Sequence, residues 1–239
     1  MAGFVPRAQQ GASVRLGAAL FNGDHGHLAE EVKRLEAAGL DFLHLDVFDG
    51  YFVPDIAFPP RTIAALRKLT RLPFEVHLGV NEPMRFVPPL VEAGVDLILF
   101  HLESSRMPFE TLFAVKGHKV KAGVALSLGT PIRAAEGLFP MMDSILLLSR
   151  VTGEGTKGAS FDPAVLPRLE RVREMARAAG SPCEIEAAGG VNRNNIHALV
   201  AAGATTLSLG AGIYTAPDMR REVAEIRELL TRTEGAVPR

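Results

Sequence analysis

The sequence predicts a closed (β/α)8 barrel, in which eight parallel strands are surrounded by helices, over a chain of 239 residues. Short apolar runs alternate with segments of helical spacing from one end of the chain to the other. Strands that alternate with helices form parallel sheets. A chain of this length commonly closes into one such barrel. An open, doubly wound parallel sheet is the alternative architecture that the pattern leaves.

Eight runs are predicted as strands because they are short, apolar and bounded by turn residues. The first of the intervening helices is predicted over 28–38, where Leu28, Val32 and Leu35 form one apolar stripe. The predicted strands are 14–20, 42–48, 74–80, 97–103, 121–127, 144–150, 184–188 and 206–210.

Three of the predicted helices end in the same way, with a glycine between the last helical turn and the next strand. The phrases are EAAGLDFL at Gly39, VEAGVDLI at Gly94 and VAAGATTL at Gly203, and Gly180 has the same place before the seventh strand. Glycine is favoured there because a helix C-cap often requires the left-handed conformation. This regular unit predicts a single barrel domain over residues 1–239, with a core of about 14–233.

The composition excludes several classes of protein. Lys and Arg number 26 against 27 Asp and Glu, so a formal net charge of −1 provides no basic field for nucleic acid or acidic lipid. No run approaches the roughly 18 apolar residues of a membrane helix, and residues 1–10 lack the apolar core of a secretory signal. The single Cys183 excludes an internal disulfide and fits a reducing compartment. We expect a cytoplasmic protein without nucleic-acid or membrane partners.

Polar residues alternate along two neighbouring predicted strands. His44 and Asp46 share one face of the second strand, and Glu75 and His77 share one face of the third. These faces should point into the barrel, at the end where barrel enzymes have their active sites. Two imidazoles and a carboxylate are a partial ligand set for zinc, iron, manganese or cobalt. The alternative is that these are barrel residues satisfied by hydrogen bonds alone.

Five segments together resemble the ribulose-phosphate 3-epimerase family in one register, over roughly residues 14–215. HLDVFDGYFVPDIAF at 44–58 resembles the family signature around a metal-binding strand, and EVHLGV at 75–80 is similar to the second such strand. The later blocks follow in order: GVALSLGTP at 123–131, SFDPAVLPRL at 160–169, and the stretch 184–214 that begins EIEAAGGV.

The resemblance implies a ribulose-phosphate-binding barrel with a divalent metal held by His44, Asp46 and His77. In that family two aspartates on opposite faces of the substrate remove and return the proton at C3, and the metal stabilises the enediolate. Asp46 matches the first aspartate and is the expected catalytic residue. A small phosphorylated sugar of pentose phosphate metabolism and a homo-oligomer are also implied.

The second catalytic aspartate that the resemblance implies is absent from this sequence. The family motif Val-Asp-Gly-Gly stands here as Ala187-Ala188-Gly189-Gly190, so Ala188 occupies the position of a general acid/base and fourth metal ligand. Loss of one such group typically costs about 10²–10⁴-fold in rate. Phe48 and Gly79 also replace methionines that line the family's pocket.

The phosphate-binding turns that the resemblance implies are better preserved in this sequence than the pair of catalytic aspartates. Backbone amides of glycine-rich turns after the last strands are typical phosphate donors in such barrels. His101 and Glu103 are interpreted as inward polar packing at the fourth strand. The residues expected at the phosphate are Gly153 and Gly155 in the segment 150–160, Gly189 and Gly190 after strand seven, and Gly210 and Ala211 after strand eight.

Three functions remain open on the sequence. The first is metal-dependent epimerisation of a ketose phosphate through an enediolate, with Asp46 as one acid/base and an unidentified second group. The second is a related isomerase, aldolase or decarboxylase that needs one proton-transfer face, which Ala188 favours. The third is a non-catalytic paralogue that binds a sugar phosphate.

Overall fold

Eight parallel strands close into a barrel in the computed structural model, which describes residues 14–151 and 161–234. Each strand pairs with the next in the chain, and β8 pairs with β1 to complete the barrel. The predicted closed barrel is therefore confirmed, and the open doubly wound sheet is wrong. The strands are β1 Arg15–Ala19, β2 Phe42–Phe48, β3 Phe74–Gly79, β4 Leu97–His101, β5 Lys121–Leu126, β6 Ser144–Leu148, β7 Glu184–Ala188 and β8 Thr206–Leu209.

Helices cover the outside of the barrel. The connection from β5 to β6 is made by a 3-10 helix, Ile132–Leu138, instead of an α-helix. Within 14–151 and 161–234, no helix combines the length and apolar character needed to cross a bilayer. The α-helices are α1 Leu28–Ala37, α2 Pro60–Arg67, α3 Val87–Glu92, α4 Pro108–Gly117, α5 Val165–Ala178, α6 Ile196–Ala202, α7 Ala211–Thr215 and α8 Met219–Glu234.

The glycines predicted to end helices adopt the conformation that a C-cap requires. Gly39, Gly94, Gly180 and Gly203 have φ values of 84°, 82°, 60° and 117°. A side chain with a Cβ is strained in this region, which explains why glycine recurs there. The repeated phrase thus predicted the helix ends correctly.

Several strands end before the predicted residue, because the chain turns outward at the carboxyl end of the barrel. The predicted strand 97–103 ends at His101, where a 3-10 turn over Leu102–Ser104 begins. The predicted strand 206–210 ends at Leu209, because Gly210 is the N-cap of α7. His101 is therefore the last residue of β4.

The barrel interior contains an apolar cluster and a polar cluster. An inner apolar cluster comes from strands β4 to β7: Leu97, Leu99, Ala125, Leu146, Leu148 and Ala188. The polar cluster begins where β2 and β3 pair, with His44 opposite Glu75 and Asp46 opposite His77. In parallel pairing, residues in register share a face, so all four side chains enter the barrel together.

Candidate active site

A cavity of about 280 Å³ opens at the carboxyl ends of the strands. His44, Asp46 and His77 line one side of it, and Ala188 and Gly189 line the other. Barrel enzymes carry out their chemistry at this end. The residues singled out from the sequence on β2, β3 and β7 therefore face one small cavity.

Asp46 is the centre of the polar side. Its Oδ1 lies 2.9 Å from Nδ1 of His77 and 3.6 Å from Nε2 of His44. The three side chains are buried, and one ligand atom from each lies within 4.8 Å of the others. Three protein ligands with the remaining positions open to a cavity are the pattern of catalytic zinc sites. The residues present fit a divalent ion.

The protonation states of Asp46 and His77 suit metal binding, whereas the raised pKa of His44 means that this ring must release a proton before it can bind an ion. Burial raises the pKa of Asp46, but hydrogen bonds and charge from His44 and His77 outweigh it and hold that pKa well below its usual range. Burial lowers the pKa of His77 to about 4, with Asp46 opposing the shift. At neutral pH, Asp46 is therefore ionised and the His77 ring is neutral, as metal ligands must be.

A second buried polar layer lies beneath His44. Nδ1 of His44 is 2.7 Å from Oε1 of Glu75 and 3.5 Å from Oε1 of Glu186, and these three residues form a further group of metal-ligand type. Ser208 donates to Glu186 at 2.6 Å. Burial, and then the charge of Glu186, raises the pKa of Glu75 to about 8. This layer fixes the orientation of the His44 ring.

Sequence comparison assigns the family. The family model described as the ribulose-phosphate 3 epimerase family matches residues 15–214. The chain belongs to this family. It is 35% identical over 215 residues to the ribulose-phosphate 3-epimerase of Bacillus subtilis (strain 168), across 90% of this chain and 98% of that protein. Over 210 residues it is 36% identical to the Synechocystis sp. enzyme of the same name, across 87% of this chain and 90% of that protein.

Solved structures share the fold at low sequence identity. The orotidine 5'-phosphate decarboxylase of Pyrococcus horikoshii OT3 has a TM-score of 0.64 and 15% identity, over 90% of this chain and 99% of that one. At this identity the likeness shows the barrel fold alone. Together with the family match, it confirms the fold, the family and the isomerase class predicted from the sequence.

The wall opposite Asp46 lacks the acid that the epimerase family is expected to have there. Ala188 lies on this wall and pairs in register with Ser208 of β8. Among the described residues that line the cavity, Asp46 is the only carboxylate. Glu186, two residues before Ala188, is fully buried beneath the cavity. Proton transfer on the second face therefore has no described carboxylate that reaches the cavity.

The same wall carries the glycine-rich turns expected to bind phosphate. Gly189 and Gly190 have φ values of 98° and 71°, and the carbonyl of Gly190 accepts hydrogen bonds from Asn192 and Asn195 at 2.8 and 2.9 Å. These bonds hold the turn in a conformation that favours glycine. Gly210 and Ala211 also line the cavity, whereas Gly153 and Gly155 lie outside the described residues.

Arg150 is a cavity residue that the sequence reasoning missed. It follows β6, and a Cβ added at Gly189 would lie 2.5 Å from its Cγ, so only glycine leaves room for it. Its Nε donates to the carbonyl of Val151 at 3.3 Å. Among the described lining residues it is the only Lys or Arg. The sequence contained one indication of this role: Arg150 is the last residue of the predicted strand 144–150, and barrel active sites lie at that end of the strands.

Phe48 and Gly79, both predicted to replace methionines of the family's pocket, compensate each other in size. A Cβ at Gly79 would meet the Phe48 ring at 2.8 Å and Val53 at 3.0 Å. Phe48 and Gly79 are opposite each other in the register of β2 and β3. The ring therefore fills the space that the glycine leaves, and its edge contacts His77 with ring centroids 5.6 Å apart.

Proposed function

We propose that this protein is a metal-dependent 3-epimerase of a small ketose phosphate, with ribulose 5-phosphate as the first substrate to test. The observation that carries the proposal is the convergence of His44, Asp46 and His77 on one cavity, in a chain of the ribulose-phosphate 3-epimerase family. The donor set suits zinc, iron, manganese or cobalt. Elemental analysis of the purified protein identifies the ion.

Asp46 is the proposed acid/base. Its neighbours keep it ionised, so it can accept the C3 proton of a substrate held against the His44 and His77 side of the cavity. A divalent ion bound by these three residues would stabilise the negative charge of the enediolate. The buried layer of Glu75 and Glu186 holds the His44 ring in place during the reaction.

The opposite wall is proposed to hold the phosphate. Gly189, Gly190, Gly210 and Ala211 offer backbone amides near the cavity, and the Arg150 guanidinium adds a charged donor. A dianionic phosphate at this wall places the sugar carbons between it and Asp46. The cavity thus separates an anion-binding side from a proton-transfer side.

Ala188 favours a second candidate function. Inversion at C3 needs a proton donor on the face opposite Asp46, and the described lining residues provide no carboxylate there. A water molecule bound on that face would complete the epimerase. An isomerase, aldolase or decarboxylase that uses only the Asp46 face is the alternative that this wall supports.

Proton exchange at C3 of ribulose 5-phosphate in heavy water, followed by NMR, tests these functions. The proposal expects exchange together with xylulose 5-phosphate, and loss of both in Asp46→Asn. Exchange without inversion would support the single-face enzyme. If the metal-loaded protein shows neither exchange nor inversion, the epimerase proposal is wrong, and the non-catalytic paralogue is then tested by sugar-phosphate binding.

We also propose a cytoplasmic homo-oligomer. The single Cys183 is buried and fits a reducing compartment. Tyr51, Ile56 and Phe113 expose 81%, 78% and 67% of their surface, which an interface between copies would cover. Light scattering after size-exclusion chromatography measures the mass, and a monomer at all concentrations would contradict the oligomer.

A further inference from the structure

A chain of hydrogen bonds runs from His77 away from the cavity. Nε2 of His77 lies 2.9 Å from Nε2 of His101, and Nδ1 of His101 lies 3.1 Å from Oε2 of Glu103. His101 is buried, with 1% of its surface exposed, and the Phe52 ring packs on it at a centroid distance of 4.8 Å. The chain therefore links a proposed metal ligand to a carboxylate at the end of β4.

Glu103 is held firmly at the far end of this chain. The amide of Ser127 donates to its Oε1 at 2.7 Å, and the hydroxyl of Thr130 donates to the same oxygen. Arg168 of α5 fixes that turn by donating to the carbonyls of Ser127 and Thr130 at 2.9 and 2.8 Å. Burial opposes ionisation of Glu103, but its hydrogen bonds to His101 and Thr130 lower its pKa to about 2.

A divalent ion on Nδ1 of His77 would give every hydrogen bond in the chain one direction. An ionised Glu103 can only accept, so His101 must donate from Nδ1. A His77 ring that binds an ion through Nδ1 carries its proton on Nε2, from which it donates to Nε2 of His101. Nδ1 of His77 is the atom that faces Asp46, a second proposed ligand of the ion.

We propose that His101 and Glu103 are positioning residues that hold His77 in the tautomer and ring orientation needed to bind a divalent ion through Nδ1. This inference rests on the proposed metal-dependent function. Outer partners of metal-bound histidines commonly contribute about 10–100-fold to metal affinity. Buried polar packing alone would affect folding stability but not the affinity of the folded protein for metal.

Glu103→Gln tests the direction of the chain with little change in shape. The donors from Ser127 and Thr130 require the amide oxygen at the Oε1 position, so the amide NH2 faces Nδ1 of His101. His101 must then accept at Nδ1 and donate from Nε2, and His77 is left with its proton on Nδ1. The substitution therefore places a proton at the atom proposed to bind metal.

The measurement is Mn²⁺ affinity by calorimetry on the full chain, with the melting temperature of the metal-free protein as a check of folding. We expect the Kd of Glu103→Gln to rise about 10–100-fold. The exposed Glu110 of α4 provides a matched control, because Glu110→Gln makes the same chemical change away from the chain of hydrogen bonds.

The ring nitrogens of His77 give an independent readout by ¹⁵N NMR of the zinc-loaded protein. The proposal expects the proton on Nε2 in the unchanged protein. Equal Mn²⁺ affinity in Glu103→Gln and the unchanged protein would overturn the positioning role but not the metal-dependent function. Failure of the unchanged protein to bind Mn²⁺ or zinc would instead overturn both.

Discussion

At the scale of single residues, the site depends on buried titratable groups that control one another. Burial alone would lower the pKa of His44, yet Asp46, Glu186 and Glu75 together raise it well above its usual value. The same contacts let Asp46 remain ionised although it is buried. Ionisable groups are rarely buried without partners, because desolvation of an unpaired charge costs several kcal/mol. The cluster is therefore stable only as a set.

Glu75 should make the stability of the metal-free protein depend on pH. Its pKa is about 8 in the folded protein and about 4.5 ordinarily, so its stabilising contribution is complete below pH 4.5 and is lost as the pH rises toward 8. We expect the free energy of unfolding to fall over this range by on the order of a few kcal/mol. Glu75→Gln should remove most of that slope in urea denaturation, and equal slopes would contradict the prediction.

Arg150 should act on substrate affinity more than on the chemical step. Arg150→Gln removes a charged donor from the proposed phosphate wall, and a charged hydrogen bond contributes about 1.5–3 kcal/mol. We expect KM for the ketose phosphate to rise about 10–100-fold, with a smaller change in kcat. Steady-state kinetics measure both, with the exposed Arg106→Gln as control. An unchanged KM would place the phosphate elsewhere.

At the scale of elements, neighbouring strands supply complementary side chains. The pairing of β2 with β3 brings His77 beside Asp46 and seats Phe48 over Gly79. The pairing of β7 with β8 sets Ala188 beside Ser208. A shift of one residue in either pairing would turn every one of these side chains to the other face. The register of the paired strands therefore determines which side chains line each wall of the cavity.

Ala188→Asp should restore an acid/base on β7, opposite β2. The added carboxylate would face the cavity that Ala188 now lines. We expect inversion at C3 to accelerate by up to about 10²–10⁴-fold, the usual contribution of one such group. The rate of xylulose 5-phosphate formation measures this, and Ala188→Asn is the matched control because its amide has a similar shape but does not accept the proton. Equal rates in the two variants would show that another group already serves the second face.

At the scale of the whole molecule, barrel closure joins distant parts of the chain in one site. The cavity is built from β1, β2, β3, β6, β7 and β8 and from the turns that follow them. Buried Glu75, Glu186 and Ser208 contact His44, and the inner apolar cluster from β4 to β7 occupies another part of the interior. An ion bound to the folded cavity thus stabilises the whole barrel.

Divalent metal should therefore raise the melting temperature. A ligand present at 100 times its Kd stabilises a folded protein by about 2.7 kcal/mol, which corresponds to roughly 5–10 °C for a domain of this size. Calorimetric melting with Mn²⁺ and then with excess chelator measures the shift. Asp46→Asn should abolish it, and the same shift in that variant would indicate that the ion binds at another site.

The sequence by itself determined the eight strands, the glycine-capped helices and the polar faces of β2 and β3, because these depend on local periodicity and on short, repeated phrases. It also located His44, Asp46 and His77, since alternation along a strand defines which side chains share a face. Only the tertiary structure decided how these groups meet. The link from His77 to Glu103, the contact of Arg150 with Gly189 and the filling of Gly79 by Phe48 depend on the register of paired strands and on barrel closure, which no single segment encodes.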